Sequence, residues 1–232
     1  MLEAALLTSG IIISLLSWYK AIPYGRFSDG SSYSIPNRWY MSLVNLPALV
    51  CLFLFVNIEQ KHVLIFCMVH FFLRAIVVPL VIGNIYTSDS KRVSLVVVLL
   101  MAAYNGLVGY TLGYMCQHLE YSMETWLDWP LLLSAGMCLL LNVYYDIRLN
   151  YMRCYMEDIQ IVNMYIKMES LCAEFPLLFG LGITSPNYFF EILEWLFIFI
   201  LTWHTESFAY LIATWAILWV RGLSNDIFLS KV

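Results

Sequence analysis

Within the segment Ser185-Pro186-Asn187-Tyr188-Phe189-Phe190-Glu191-Ile192-Leu193-Glu194-Trp195, an amide and two carboxylates recur at i, i+4 and i+7. On a helix these positions share one face. Pro186 suits the first helical turn, and Ser185 before it is a natural cap. The segment opens an apolar run that continues through Leu196-Phe197-Ile198-Phe199-Ile200-Leu201. A carboxylate stripe on such a helix is costly unless it faces protein, water or a ligand. Further polar residues interrupt other apolar runs: His70 and Arg74, Asn142 and Asp146 (both pairs at i, i+4), and Asn45, Asn105 and Arg221. Carboxylates, amides and arginines together suit an anionic, hydrogen-bonding ligand. The plainer reading is also open. Asn and His often join neighbouring helices, Arg74 could form a structural bridge with Glu191 or Asp146, and the arginines at helix ends could be positive-inside anchors. No cysteine pair has metal-ligand or redox spacing, so no metal is expected and the cysteines read as buried free thiols.

These residues need elements that can hold them. The chain of 232 residues is 62% hydrophobic and 12% charged, far from the soluble average, so it reads as an integral membrane protein. It has no basic run, which argues against nucleic acid. Seven apolar stretches approach membrane length, at roughly 3–19, 39–57, 63–86, 93–116, 127–146, 188–204 and 206–221. The expected fold is all-α, a polytopic membrane protein built as a seven-transmembrane-helix bundle in one domain, 1–232. Ten of the twelve basic residues fall in regions that seven crossings place on one side, with Lys61 opposite and Arg74 inside a helix. By the positive-inside rule the C-terminus is cytosolic and the N-terminus lumenal or external. The long cytosolic loop 147–186 contains a mixed acidic and apolar stretch, Met156 to Leu171, expected as an amphipathic surface helix.

This topology assigns depths. Asn142 and Asp146 end the fifth helix on the cytosolic side, and Asn187, Glu191 and Glu194 enter the sixth from there. Arg221 closes the seventh at that end. His70, Arg74 and Asn105 lie near mid-depth, and Asn45 lies about two turns in. The polar groups therefore collect in the cytosolic half, above an apolar lumenal half suited to a lipid-like ligand.

In order and spacing, Tyr24-Gly25-Arg26, Pro36-x-Arg38-Trp39, Leu46-Pro47, Val69-His70-Phe71-Phe72-Leu73-Arg74, Asn105-Gly106, Asn142-x-x-x-Asp146 and Ser185–Trp195 followed by Thr202-Trp203 resemble the steroid 5α-reductases. The resemblance runs from about Tyr24 to Arg221. It implies a multi-pass enzyme of the endoplasmic reticulum membrane that reduces the enone C=C bond of a steroid or other isoprenoid-like lipid with NADPH, here expected as a monomer among membrane lipids. It also implies that Arg74, Asn105, Asn142, Asp146, Arg153, Asn187 and Arg221 contact the cofactor. Glu191 and Glu194 match the two signature glutamates, at the substrate pocket.

Two departures touch the chemistry. Asn45 stands where the family has a carbonyl-polarising Glu, and Phe71 where it has the partner Tyr. Phe190 replaces a Gly of the signature. Losing one donor to a developing oxyanion costs about 10²–10³ in rate. One expectation is a reductase of a different substrate with its own acid, His70 or Tyr104. The rivals are a weak or inactive relative that binds lipid or nucleotide, an enoyl-thioester reductase, and a receptor or transporter. The last would need polar residues opening to the lumenal side or repeat symmetry, and neither is visible.

Overall fold

The computed structural model describes residues 2–19, 34–56, 62–85, 92–119, 126–155 and 185–229, with side chains placed at 2–13, 35, 39–56, 62–81, 93–119, 126–148 and 185–220. The described residues are almost entirely helical. Helix α1 is Leu2–Tyr19, and a short strand β1 (Ser34–Pro36) leads into α2 (Asn37–Phe53). Helix α3 (His62–Phe72) passes through a π-helical stretch, Leu73–Val77, into α4 (Val78–Ile85) as one continuous rod. Strand β2 (Arg92–Ser94) precedes α5 (Leu95–His118), followed by α6 (Asp128–Tyr155), α7 (Pro186–Thr202) and α8 (Thr205–Leu229).

Among the described residues, three helical stretches are long and apolar enough to cross a membrane: His62–Val81, Leu95–His118 and Asp128–Arg148. Shorter apolar helices cover Leu2–Ile13, Trp39–Phe53 and Thr205–Val220. Many large apolar side chains point outward, among them Leu80, Val96, Leu99, Leu133 and Leu140. The main interior cluster includes Leu6, Leu52, Leu64, Leu112, Met115, Trp195 and Ile198.

Pairwise contacts fix the relative directions. Gly10 meets Ala213 and Glu3 meets Thr205, so α1 and α8 run parallel. Gly106 meets Pro47 and Gly109 meets Ala48, so α2 and α5 run parallel. His70 pairs with Glu194 and Arg74 with Glu191, so α3 and α7 run antiparallel. Small residues permit these approaches. A Cβ on Gly109 would stand 2.3 Å from the Ala48 carbonyl oxygen. The two strands pair antiparallel, Ile35 opposite Val93, and tie the starts of α2 and α5 together.

Several expected boundaries change. Helix α6 does not stop at 146 but runs to Tyr155, so the expected loop opens as helix. Its apolar signal fades at the membrane edge, yet Arg148, Leu149, Met152 and Arg153 remain good helix formers. Helix α8 likewise extends past 221 to Leu229, and α2 ends at Phe53, short of 57. Ser185 does occupy the cap of α7, but its side chain makes no capping bond. Its carbonyl instead accepts from the backbone N–H of Tyr188 and Phe189. The amphipathic segment Met156–Leu171 lies outside the described residues.

Helix α7 stops at Trp203, which sits in the left-handed region with φ 48° and donates its N–H to the Phe199 carbonyl at 2.7 Å. That conformation is strained for a bulky residue. The ring's stacking on Phe199 (5.2 Å between centroids) and the hydroxyl bond between Thr202 and Ser207 (2.8 Å) hold the turn.

Candidate functional site

Three helices bring five of the candidate side chains to one point. Arg74 projects from the π-helical stretch, Asn142 and Asp146 from α6, and Asn187 and Glu191 from α7. The Arg74 Nη2 donates to Glu191 Oε2 at 2.6 Å and to Asn142 Oδ1 at 3.0 Å. Its Nη1 lies 3.4 Å from Asp146 Oδ2. Asn187 Nδ2 donates to Asp146 Oδ1 at 2.7 Å. Asn142 is wholly buried, and Asn187 and Glu191 nearly so.

The backbone explains how Arg74 reaches both partner helices. The Val78 N–H bonds to the Leu73 carbonyl, one residue beyond the α-helical partner. Pro79 follows and has no N–H to continue a regular ladder. Single π turns of this kind recur at functional sites.

One turn along α3 and α7 lies a second pair. His70 Nδ1 and Glu194 Oε1 are 2.5 Å apart, and both side chains are buried. Aromatic rings enclose them. Trp195 meets His70 edge-on at 4.9 Å and Tyr210 at 4.4 Å, and Phe71 lies 4.9 Å from His70. Tyr210 went unnoticed in the sequence because nothing distinguishes it from other aromatics in an apolar run.

Depth can be counted from the helix ends that carry Trp129, edge-on to His62, and the exposed Trp203. At about 1.5 Å per residue, His70 and Glu194 lie about 12–14 Å along their helices and Arg74 and Glu191 about 18 Å. Asn142 lies about 20 Å along α6 and Asp146 about 26 Å. The polar ladder therefore starts about 12–14 Å along α3 and α7 and runs on toward the far end.

The other candidates do not join it. Asn105 donates to the Val44 carbonyl at 3.0 Å, bridging α5 to α2. Asn45 donates to Met41 in its own helix at 2.8 Å. Phe71 is 1% exposed and sits in the apolar core. Phe190 stacks face to face on Tyr145 (5.7 Å, 5°), which accommodates the ring that replaces the glycine. The side chains of Arg153 and Arg221 lie outside the described residues. So do Tyr24, Gly25 and Arg26.

The cluster keeps hydrogen-bonding capacity in reserve. Among the described residues, Arg74 Nε, Asn142 Nδ2 and Asn187 Oδ1 are buried without a hydrogen-bond partner, and so is Glu194 Oε2. Buried polar atoms are normally satisfied, so a set of this kind calls for a ligand or water. Among the described residues, no group of His, Cys, Asp and Glu is arranged to hold a metal.

A helical chain with outward-facing apolar surfaces and a buried, incompletely satisfied polar ladder has the build of a membrane-embedded binding or catalytic protein. A family model described as 3-oxo-5-alpha-steroid 4-dehydrogenase matches residues 91–231, and the chain belongs to that family. The 3-oxo-5-alpha-steroid 4-dehydrogenase 1 of Bos taurus is 23% identical to it over 233 residues, covering 95% of this chain and 84% of that protein. The family read from the ordered motifs is thereby borne out.

Proposed function

We propose that this chain is a single membrane domain, residues 1–232, that reduces the enone C=C bond of a steroid or similar lipid with NADPH. It crosses the endoplasmic reticulum membrane seven times, with its C-terminus cytosolic, and works as a monomer on a substrate drawn from the bilayer. Family membership supports the reaction class. The helix directions support the topology, since successive crossings alternate and the parallel and antiparallel pairs agree with that alternation.

The observation that carries the reading is the cluster Arg74–Asn142–Asp146–Asn187–Glu191 with its reserve of buried donors and an acceptor. Arg74 Nε, Asn142 Nδ2 and Asn187 Oδ1 match the carboxamide and ribose hydroxyls of a nicotinamide riboside, which need both donors and acceptors. The diphosphate fits elsewhere, because the charge of Arg74 is already engaged by two carboxylates. Arg148, Arg153 and Arg221, toward the far ends of α6 and α8, supply the cations it needs. Bound there, NADPH supplies the hydride. Asn105 serves the site indirectly by holding α5 to α2.

On the substrate side, the donor that polarises the carbonyl must come from a residue other than Phe71. His70 adjoins Phe71 and can carry a transferable proton, while Glu194 fixes its ring through Nδ1. Its task is to deliver a proton to the carbonyl oxygen as negative charge develops there.

The test is NADPH binding and consumption by purified protein in lipid nanodiscs, with a panel of 3-oxo-Δ4-steroids. Absence of binding at millimolar NADPH would overturn the cofactor assignment. A second reading, an inactive relative that binds the nucleotide or a lipid, is favoured by Asn45 and Phe71. Binding without turnover, with turnover restored by Asn45→Glu/Phe71→Tyr, would establish that reading instead.

A further inference from the structure

Trp195 is wholly buried, and among the described residues its indole Nε1 has no hydrogen-bond partner. An indole N–H is a donor only. Burying it unpaired is costly, and buried Trp N–H groups usually find an acceptor. An acceptor is close in sequence: Glu194 Oε2 is buried and equally without a partner among the described residues, yet the indole does not take it. Three rings hold the indole edge-on instead, Tyr210 at 4.4 Å, His70 at 4.9 Å and Phe66 at 6.4 Å. Counted from the Trp203 end, Trp195 lies about 12 Å along α7, the depth of His70 along α3. The unpaired N–H therefore belongs to the same aromatic box as the His70–Glu194 pair, one turn from the Arg74–Glu191 rung.

Resting on the reductase reading above, we propose that Trp195 Nε1–H is a second donor to the carbonyl oxygen of the substrate, beside His70. Addition of hydride to the β-carbon of an enone moves an electron pair onto that oxygen. The proton from His70 closes it as an enol. The enol becomes the saturated ketone when the α-carbon takes a proton from water and the oxygen returns its own to His70. Indole is too weak an acid to give up its proton, so Trp195 contributes a fixed dipole and no proton. Its orientation is set by ring packing before the substrate arrives, which lets the donor act without reorganising. Phe71 offers no donor at this level, and α7 supplies one from Trp195.

The test is equilibrium binding of two probes to the nanodisc-embedded full chain, a 3-oxo-Δ4-steroid and the same steroid lacking the 3-oxygen. Trp195→Phe keeps a ring and removes the N–H. It is expected to weaken the 3-oxo probe about 2–10-fold more than the probe without the oxygen. Equal weakening of both probes would make the indole a packing residue and overturn the proposal, while leaving the reductase reading standing. Failure of the parent chain to bind the 3-oxo probe would overturn both. Should Trp195→Phe not fold, the indole ¹⁵N–¹H spectrum of the parent chain decides. One N–H signal is expected to move downfield with the 3-oxo probe and not with the other. Indole signals that answer to neither probe, as when the N–H rests on the Tyr210 ring or on a water, would overturn the assignment.

Discussion

Replacing Arg74 with Met removes a guanidinium that joins α6 to α7 at the π-helical stretch. The side chain makes two hydrogen bonds, at 2.6 and 3.0 Å, and an ion pair at 3.4 Å. Arg74, Glu191 and Asp146 have side chains only 11–14% exposed. Its loss takes the cation from Glu191, the donor from the Asn142 carbonyl oxygen and one ion pair from Asp146, in a poorly solvated site. Breaking a buried pair from one side costs about 3–5 kcal/mol, because a charge is left uncompensated. For a chain of this size that corresponds to a fall in Tm of about 6–20 °C. The assay is thermal unfolding in detergent, followed by tryptophan fluorescence and by retention of the monodisperse peak. Neutralising all three members, Arg74→Met/Asp146→Asn/Glu191→Gln, should recover most of the loss, since no isolated charge remains. The Arg74→Met and Glu191→Gln cycle should give a coupling energy of about 0.5–3 kcal/mol. An Arg74→Met cost no larger than that of an ordinary surface change, about 0.5 kcal/mol, would refute the cluster.

Other outcomes follow from the packing. Gly109→Ala should destabilise by about 1–3 kcal/mol, since its Cβ would meet the Ala48 backbone, which cannot yield. Gly136→Ala, whose Cβ meets nothing within 4 Å, should instead stabilise by up to about 1 kcal/mol; both are read by thermal unfolding. Asn105→Ala should cost about 0.5–1.5 kcal/mol through its lost bond to Val44, with dinucleotide affinity changing less than in Asn187→Ala. Trp126, Trp129 and Trp203, exposed at the same end of the bundle, should be quenched to equal extents by lipids brominated at one shallow depth; unequal quenching would argue against the common depth.

The helices were legible because burial in lipid demands long apolar runs, and those runs are what the eye finds first. A bridge from Arg74 to Glu191 or Asp146 was one open reading of the sequence, and Arg74 engages both, because the π turn aims it between two helices. That turn left no trace in Leu73-Arg74-Ala75-Ile76-Val77, whose residues suit an α-helix equally well. Asn45 and Asn105 could be placed along their helices, but position along a helix does not say toward which neighbour a side chain points. Both are absorbed by carbonyls of α2, Met41 and Val44. The three-residue strands escaped notice since Ser34-Ile35-Pro36 is too short to show alternation. Trp203 would not have been chosen for a positive φ, and its stacking on Phe199 is a tertiary fact. The substituted pair Asn45 and Phe71 was legible only through the family likeness.

The two rungs between α3 and α7 also bear on how the chain assembles. These helices are made more than a hundred residues apart and must find each other within lipid, where apolar surfaces gain little by choosing one alignment over another. Because the helices run antiparallel, His70 and Arg74 meet Glu194 and Glu191 in one alignment only. A slip of one turn in one direction sets Arg74 against Glu194 and leaves Glu191 without its cation. A slip in the other sets His70 against Glu191 and strands Glu194. Each misalignment isolates a carboxylate in the bundle, at a cost of several kcal/mol. The same side chains that give the site its chemistry thus act as the index marks by which two distant helices lock into register.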